Sequence, residues 1–260
     1  MEFNKEFEFF KNFHLKLSRF GEFNDPFEML PGNYAFTLNK EERKLFLEHA
    51  SHLKDPCHHI ENSIEIDSGI RVSIGVICFT IHDASLLMWS HYANNHKGIC
   101  IEFDTENSFF QGKFSCDYNP NIGIIRKVDY RAERPLFIDP QELVNSTEFW
   151  FIKSLEWQYE DEYRLLLPID NAIQKPIETA PQNNDLLFYE ISPKLIKSVT
   201  LGCQMPVETK QEVFSLCTDL GIKVRECFIH ATEYKLHIVD YHPKNHGKFV
   251  NPYNINRVIN

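Results

Sequence analysis

Between residues 71 and 103 the chain switches from one hydrophobic periodicity to the other and back, and this switch limits the fold more than any other feature. Residues 71–80 (RVSIGVICFT) are rich in β-branched and aromatic side chains, the composition of a strand. Asp83 or Ser85 can then cap a short helix over 86–93. Gly98 releases the chain into a second apolar run, 99–103. Strand, short helix and strand within so small a span require a fold that mixes both element types.

The rest of the chain continues in this manner. Phe3, Phe7 and Phe10 have helical spacing within 2–12, and 14–18 alternates as a strand does. Residues 23–28 (FNDPFE) set Asn and Asp ahead of Pro, a turn signal. A helix is predicted over 39–54, capped by Asn39 with Glu41 and Glu42 in its first turn. Val128 and Tyr130 mark a strand, 140–156 a helix and 162–168 a strand. A strand over 196–201 ends at Gly202 and leads to a helix over 206–219, with strands following at 224–229 and 234–239. The expected fold is α+β, with central mixed or antiparallel sheets flanked by helices. No repeat or low-complexity linker interrupts it, so one domain is expected over 1–240, with an irregular tail over 241–260.

Composition narrows the function classes. The 43% hydrophobic content, including 22 Phe, supplies a large core. A net charge of −10 opposes generic binding to nucleic acid or anionic membranes. The seven Cys are odd in number and form no CxxC pair, which points to reduced core thiols and a cytoplasmic location. No apolar run reaches the ~20 residues that span a bilayer, and the N-terminus carries no signal-peptide pattern. GxGxxG, GxxxxGK[ST] and GxSxG are all missing. His49, His52, His58 and His59 cluster around Asp55 and Cys57, but neither HExxH nor a zinc-finger quartet occurs, so no metal site is expected.

Two groups of residues invite a chemical reading. Glu160, Glu162 and Arg164 alternate along a predicted strand and would share one face. With Lys153 and Trp157 nearby they either line a polar pocket or form an Arg–Glu network on a solvated face. Trp89 and Tyr92 lie on the predicted short helix, where aromatic residues pack a core or form the wall of a cleft. Ser90 and His91 face differently and could hydrogen-bond a ligand, with His91 as a general base. Asn24 and Asp25 form the turn before Pro26 or touch a ligand from it.

Taken in order and spacing, FNDPFE at 23–28, MWSHYA at 88–93, the VDY of 128–130 and the KxxxWxxExExR pattern from Lys153 to Arg164 resemble the bacterial family catalogued as domain of unknown function 2971. The resemblance covers about residues 10 to 240. Family members usually open with a tyrosine- and basic-rich strand, which is not recognisable here. The layout also resembles the ADP-ribosyltransferase fold, in which a Ser-containing helix with a Tyr one turn on precedes a strand bearing a Glu. That second resemblance implies NAD as substrate, with Glu162 as catalytic carboxylate, Glu160 and Arg164 in support, and Trp89, His91 and Tyr92 as a cofactor wall. A carboxylate so placed would stabilise an oxocarbenium-like transition state. The alternatives are a non-catalytic module that binds a nucleotide or a protein, and a hydrolase using His91 with the carboxylates.

Overall fold

Alternating burial along a strand and a single buried stripe on a helix decide which faces must be covered. In the computed structural model, residues 9–29, 74–113, 122–135, 148–175 and 185–243 are described. The predicted helix over 39–54, its neighbouring histidines and the tail beyond 243 lie outside them. The chain forms two compact units, each assembled from separate stretches.

One unit contains Met1–His14, His82–Thr105 and Glu190–Asn260. Its four-stranded sheet has the order β12 (Leu236–Asp240), β11 (Lys223–Ile229), β10 (Ile196–Leu201), β3 (Ile99–Phe103). β10 and β11 are parallel, joined by the helix α3 (Val207–Asp219), and the other pairs are antiparallel. The described helix before it in the chain, α2 (Leu86–Tyr92), takes Ser85 of the two predicted caps, with the Ser85 hydroxyl accepting from the Met88 N–H at 3.4 Å. It ends in three consecutive left-handed residues, Asn94, Asn95 and His96, which are residue types that tolerate this conformation. The His96 and Gly98 amides fold back to the Trp89 and Ala93 carbonyls. Trp89 and Ala93 pack against Cys227 and Leu236, with Cys100, Cys203 and Ile238 around them. Glu226, next to Cys227 and so on the opposite face of the sheet, pairs with Lys210 of α3 in a buried ion pair. The two helices therefore cover opposite faces of one sheet.

The other unit contains Leu15–Ile81 and Glu106–Tyr189. Here β7 (Glu162–Pro168) lies between β2 (Ile74–Thr80) and β4 (Ile125–Lys127), both antiparallel to it. β5 (Asp129–Arg131) and β6 (Ile152–Ser154) form a parallel pair. A third sheet has the order β1 (His14–Leu17), β9 (Leu186–Glu190), β8 (Ile173–Lys175). The core gathers Met29, Ile74, Val76, Ile122, Phe149, Trp150, Phe151 and Leu166.

The predicted helix over 140–156 is corrected over its described part. Residues 148–160 form a 3-10 turn (Glu148–Phe151), then β6, then a second 3-10 turn (Leu155–Glu160). Phe149, Trp150 and Phe151 are consecutive and all buried. An α-helix spaces successive side chains by about 100° and would have turned one of them outward. The α+β expectation agrees with the fold, the strand predicted over 71–80 is present over its described part, Ile74–Thr80, and the strands at 99–103, 162–168 and 196–201 fall where the sequence puts them.

Candidate functional site

On β7 the period of two turns Glu162 and Arg164 inward, and both are buried. Glu160 reaches the same place by another route. It ends the 3-10 turn before the strand, and Asp161, left-handed at φ 41°, makes the corner between them. The sequence reading of Glu160 as part of the strand is corrected accordingly. The corner is held from three sides. Thr80 Oγ1 donates to the Glu160 carbonyl at 2.6 Å, Lys127 pairs with Asp161 at 2.7 Å, and the Val128 N–H donates to the Glu162 carbonyl at 2.9 Å. The Glu162 N–H donates to the Tyr130 hydroxyl at 2.8 Å. In the β5–β6 register Tyr130 stands beside Lys153, which brings that ammonium to the carboxylates.

The resulting group is buried and internally paired. Lys153 Nζ lies 2.6 Å from Glu160 Oε2, 3.0 Å from Glu162 Oε2 and 3.3 Å from Glu28 Oε2, with the Trp157 ring centroid 5.0 Å away. Arg164 Nε donates to Glu162 Oε1 at 2.8 Å and Nη2 to Glu162 Oε2 at 3.1 Å. Nη2 also donates to Glu28 Oε1, and Nη1 donates to the Trp150 carbonyl and the Met29 sulfur. A guanidinium has five N–H groups, and these five bonds use all of them.

Charge balance follows from these contacts. Burial pushes the Glu162 carboxyl up, but Arg164 and then Lys153 overrule it and hold the group down at about 2. Burial opposes the charges of Lys153 and Arg164, yet the surrounding carboxylates outweigh it and raise both. Glu28 goes the other way, since burial outweighs the pull of Arg164 and Lys153 and raises its carboxyl. Burial also pushes the Tyr130 phenol up to about 12.

The remaining residues singled out by sequence fall as follows. Trp157 is partly buried over Lys153. Asp25 is buried and acts as a turn former, its Oδ1 accepting from the Phe27 N–H at 2.9 Å, while Asn24 is exposed. Trp89, Ser90, His91 and Tyr92 belong to the first unit. The Trp89 indole is buried and donates to the Asp83 carbonyl at 2.7 Å, whereas His91 and Tyr92 are exposed and in edge-to-face contact. Sequence reasoning missed Glu28, Met29 and Tyr130 as members of the group. The one signal for Glu28 was an acidic residue closing the FNDPFE turn. Among the described residues no group of three or more His, Cys, Asp or Glu side chains is placed to hold a metal ion, and no helix is long and apolar enough to cross a membrane.

A turn, two strands and a 3-10 corner thus enclose a buried five-residue charge cluster. Residues 88–165, which include Lys153, Glu160, Glu162 and Arg164, match the model of a family described as a protein of unknown function, DUF2971. The resemblance drawn from the sequence motifs is borne out over that span. No curated protein and no solved structure matches the chain.

Proposed function

We propose that the chain is a non-catalytic binding module, in which the Glu28–Lys153–Glu160–Glu162–Arg164 cluster braces the fold and the outer face of α2 engages a protein partner. The observation that carries the first part is the occupancy of Glu162. Its two oxygens accept from Arg164 twice and from Lys153 once. A carboxylate offers about four acceptor positions. An ADP-ribosyltransferase-like role would ask Glu162 to hold a ribose hydroxyl and face a developing cation, and here three of those positions are already taken by the two cations. For the second part, α2 keeps Trp89 inside and leaves Leu86, Leu87 and Tyr92 substantially exposed. Leu87 on the side away from the anchored Trp89, with Leu86 and Tyr92 exposed at its flanks, offers apolar contacts that suit a protein partner better than a nucleotide, as does a charge of −10.

The test has two arms. Purified protein incubated with NAD should release no nicotinamide above the blank, and NAD should not shift its melting temperature. Release by the wild type that disappears in Glu162→Gln would overturn the non-catalytic reading. Peptides selected from a random display library on the wild type should lose binding to Leu87→Asp. Undiminished binding by that variant would count against the α2 face.

A further inference from the structure

The four-stranded sheet ends on one side at β12, and the backbone register decides what that side offers. β11 and β12 pair antiparallel from Arg225–Asp240 to Ile229–Leu236. Beyond one end of this run the Tyr241 N–H donates to the Val224 carbonyl at 3.0 Å, and beyond the other the His230 N–H donates to the Lys235 carbonyl at 3.0 Å. Hydrogen-bonded pairs alternate along an antiparallel ladder. His237 and Val239 therefore turn their backbone groups to β11, while Leu236, Ile238 and Asp240 turn theirs outward. Among the described residues no strand lies on that outer side.

An open edge is a template for a further strand unless something blunts it. β12 (LHIVD) contains no Pro and no Lys, and its register with β11 is unbroken. The pairing at the other edge of the sheet, by contrast, shifts between Ile196 and Ser198 of β10. Apolar groups flank the open edge on both faces. Ile238 is partly buried against the Trp89 cluster on the α2 side. Val239 stands opposite Glu226, hence on the α3 side, and is 39% exposed.

Size and charge choose between occupants. A second copy meeting this edge would gain a ladder of five residues, short of the ~1,200 Å² that a stable interface between folded chains buries. Each copy would also carry a charge of −10. An extended segment needs only the ladder and a few side-chain contacts. The same net charge favours a basic one, and exposed Asp240, paired with Lys223 at 2.8 Å, marks the end of the edge that a further cation can join.

We propose that the outer edge of β12 takes up an extended segment of a protein partner, apolar where it passes Ile238 and Val239 and basic beside Asp240, as an added strand. This rests on the protein-partner reading of α2 and gives that partner the conformation in which it binds.

The probe is the end-blocked heptapeptide KTVVVTK, with ETVVVTE as its counterpart. Amide exchange of the full chain with saturating KTVVVTK should show a period of two. Protection of the Leu236, Ile238 and Asp240 amides should rise by about tenfold or more, and that of His237 and Val239, already bonded to β11, should stay level. KTVVVTK should bind more tightly than ETVVVTE. Asp240→Pro removes an outward amide without breaking a bond to β11, and should weaken binding by about fivefold relative to Asp240→Ala, the worth of one hydrogen bond. Absence of binding, unchanged protection at the three outward amides, or equal affinity for ETVVVTE would overturn the proposal. Should Asp240→Pro fail to fold, the exchange pattern of the wild type decides alone. Binding that is lost in Leu87→Asp but leaves the three amides unprotected keeps the α2 reading and refutes the edge. Binding with the alternating pattern in Leu87→Asp supports the edge and refutes the α2 face. A dimer on sedimentation that protects the same amides without peptide would make the occupant a second copy and overturn the proposal.

Discussion

Arg164 shows how much one side chain can organise. It is fully buried, and its guanidinium joins a carboxylate, a second carboxylate, a carbonyl and a thioether, with the Phe23 ring centroid 6.0 Å from its Cζ. A lysine could keep the charge but has three donors rather than five and no planar fork. Arg164→Lys is therefore expected to leave buried acceptors unpaired and to cost about 3–5 kcal/mol, the usual result of breaking a buried ionic group. Urea denaturation of the two proteins measures this. A loss below ~1 kcal/mol would mean that the group reorganises freely around the shorter side chain.

At the scale of elements, the turns between them hold as much information as the strands. The left-handed Asn94–Asn95–His96 stretch brings the chain back across the start of the segment after β10, where the Gly202 N–H donates to the Gly98 carbonyl at 3.0 Å. A Cβ on Gly202 would stand 2.1 Å from the His96 carbonyl oxygen and 3.0 Å from that of Gly98. Both are backbone atoms and cannot swing aside. Gly202→Ala should force the α2–β3 loop away and destabilise by about 1–3 kcal/mol, in the range of an overpacked core. A melting temperature equal to the wild type would show that this loop yields at no cost. The same close approach explains why Gly202 appears in the sequence as a simple strand terminator. Its neighbour across the gap is a hundred residues away in the chain and invisible to a local pattern.

For the whole molecule, the cluster links stability to pH. Glu162 has a folded-state pKa of about 2 against an ordinary 4.5. The group lies below its unfolded value, so its contribution is complete above about pH 4.5 and is lost as pH falls towards 2. The difference is worth about 3 kcal/mol at 1.36 kcal/mol per pH unit. Denaturation across this range should show stability falling with acid in the wild type, and a shallower fall in Glu162→Gln. Equal slopes would assign the acid sensitivity to other carboxylates. The sequence by itself determined the α+β class, a strand within 71–80, the strands at 99–103, 162–168 and 196–201, a cap at Asp83 or Ser85 and the resemblance that the 88–165 match supports, because each rests on neighbours within one turn or one strand, and the structure chose Ser85. It also picked out Lys153, Glu160, Glu162 and Arg164, since charged residues closely spaced around a strand stand out locally. Only the tertiary structure decided that these residues are buried rather than solvated, that Glu160 arrives by a left-handed corner, and that Glu28 and Met29 complete the cluster from a turn more than a hundred residues away. Burial and ion pairing depend on which surfaces meet, and periodicity along a chain reports only which face of an element is apolar.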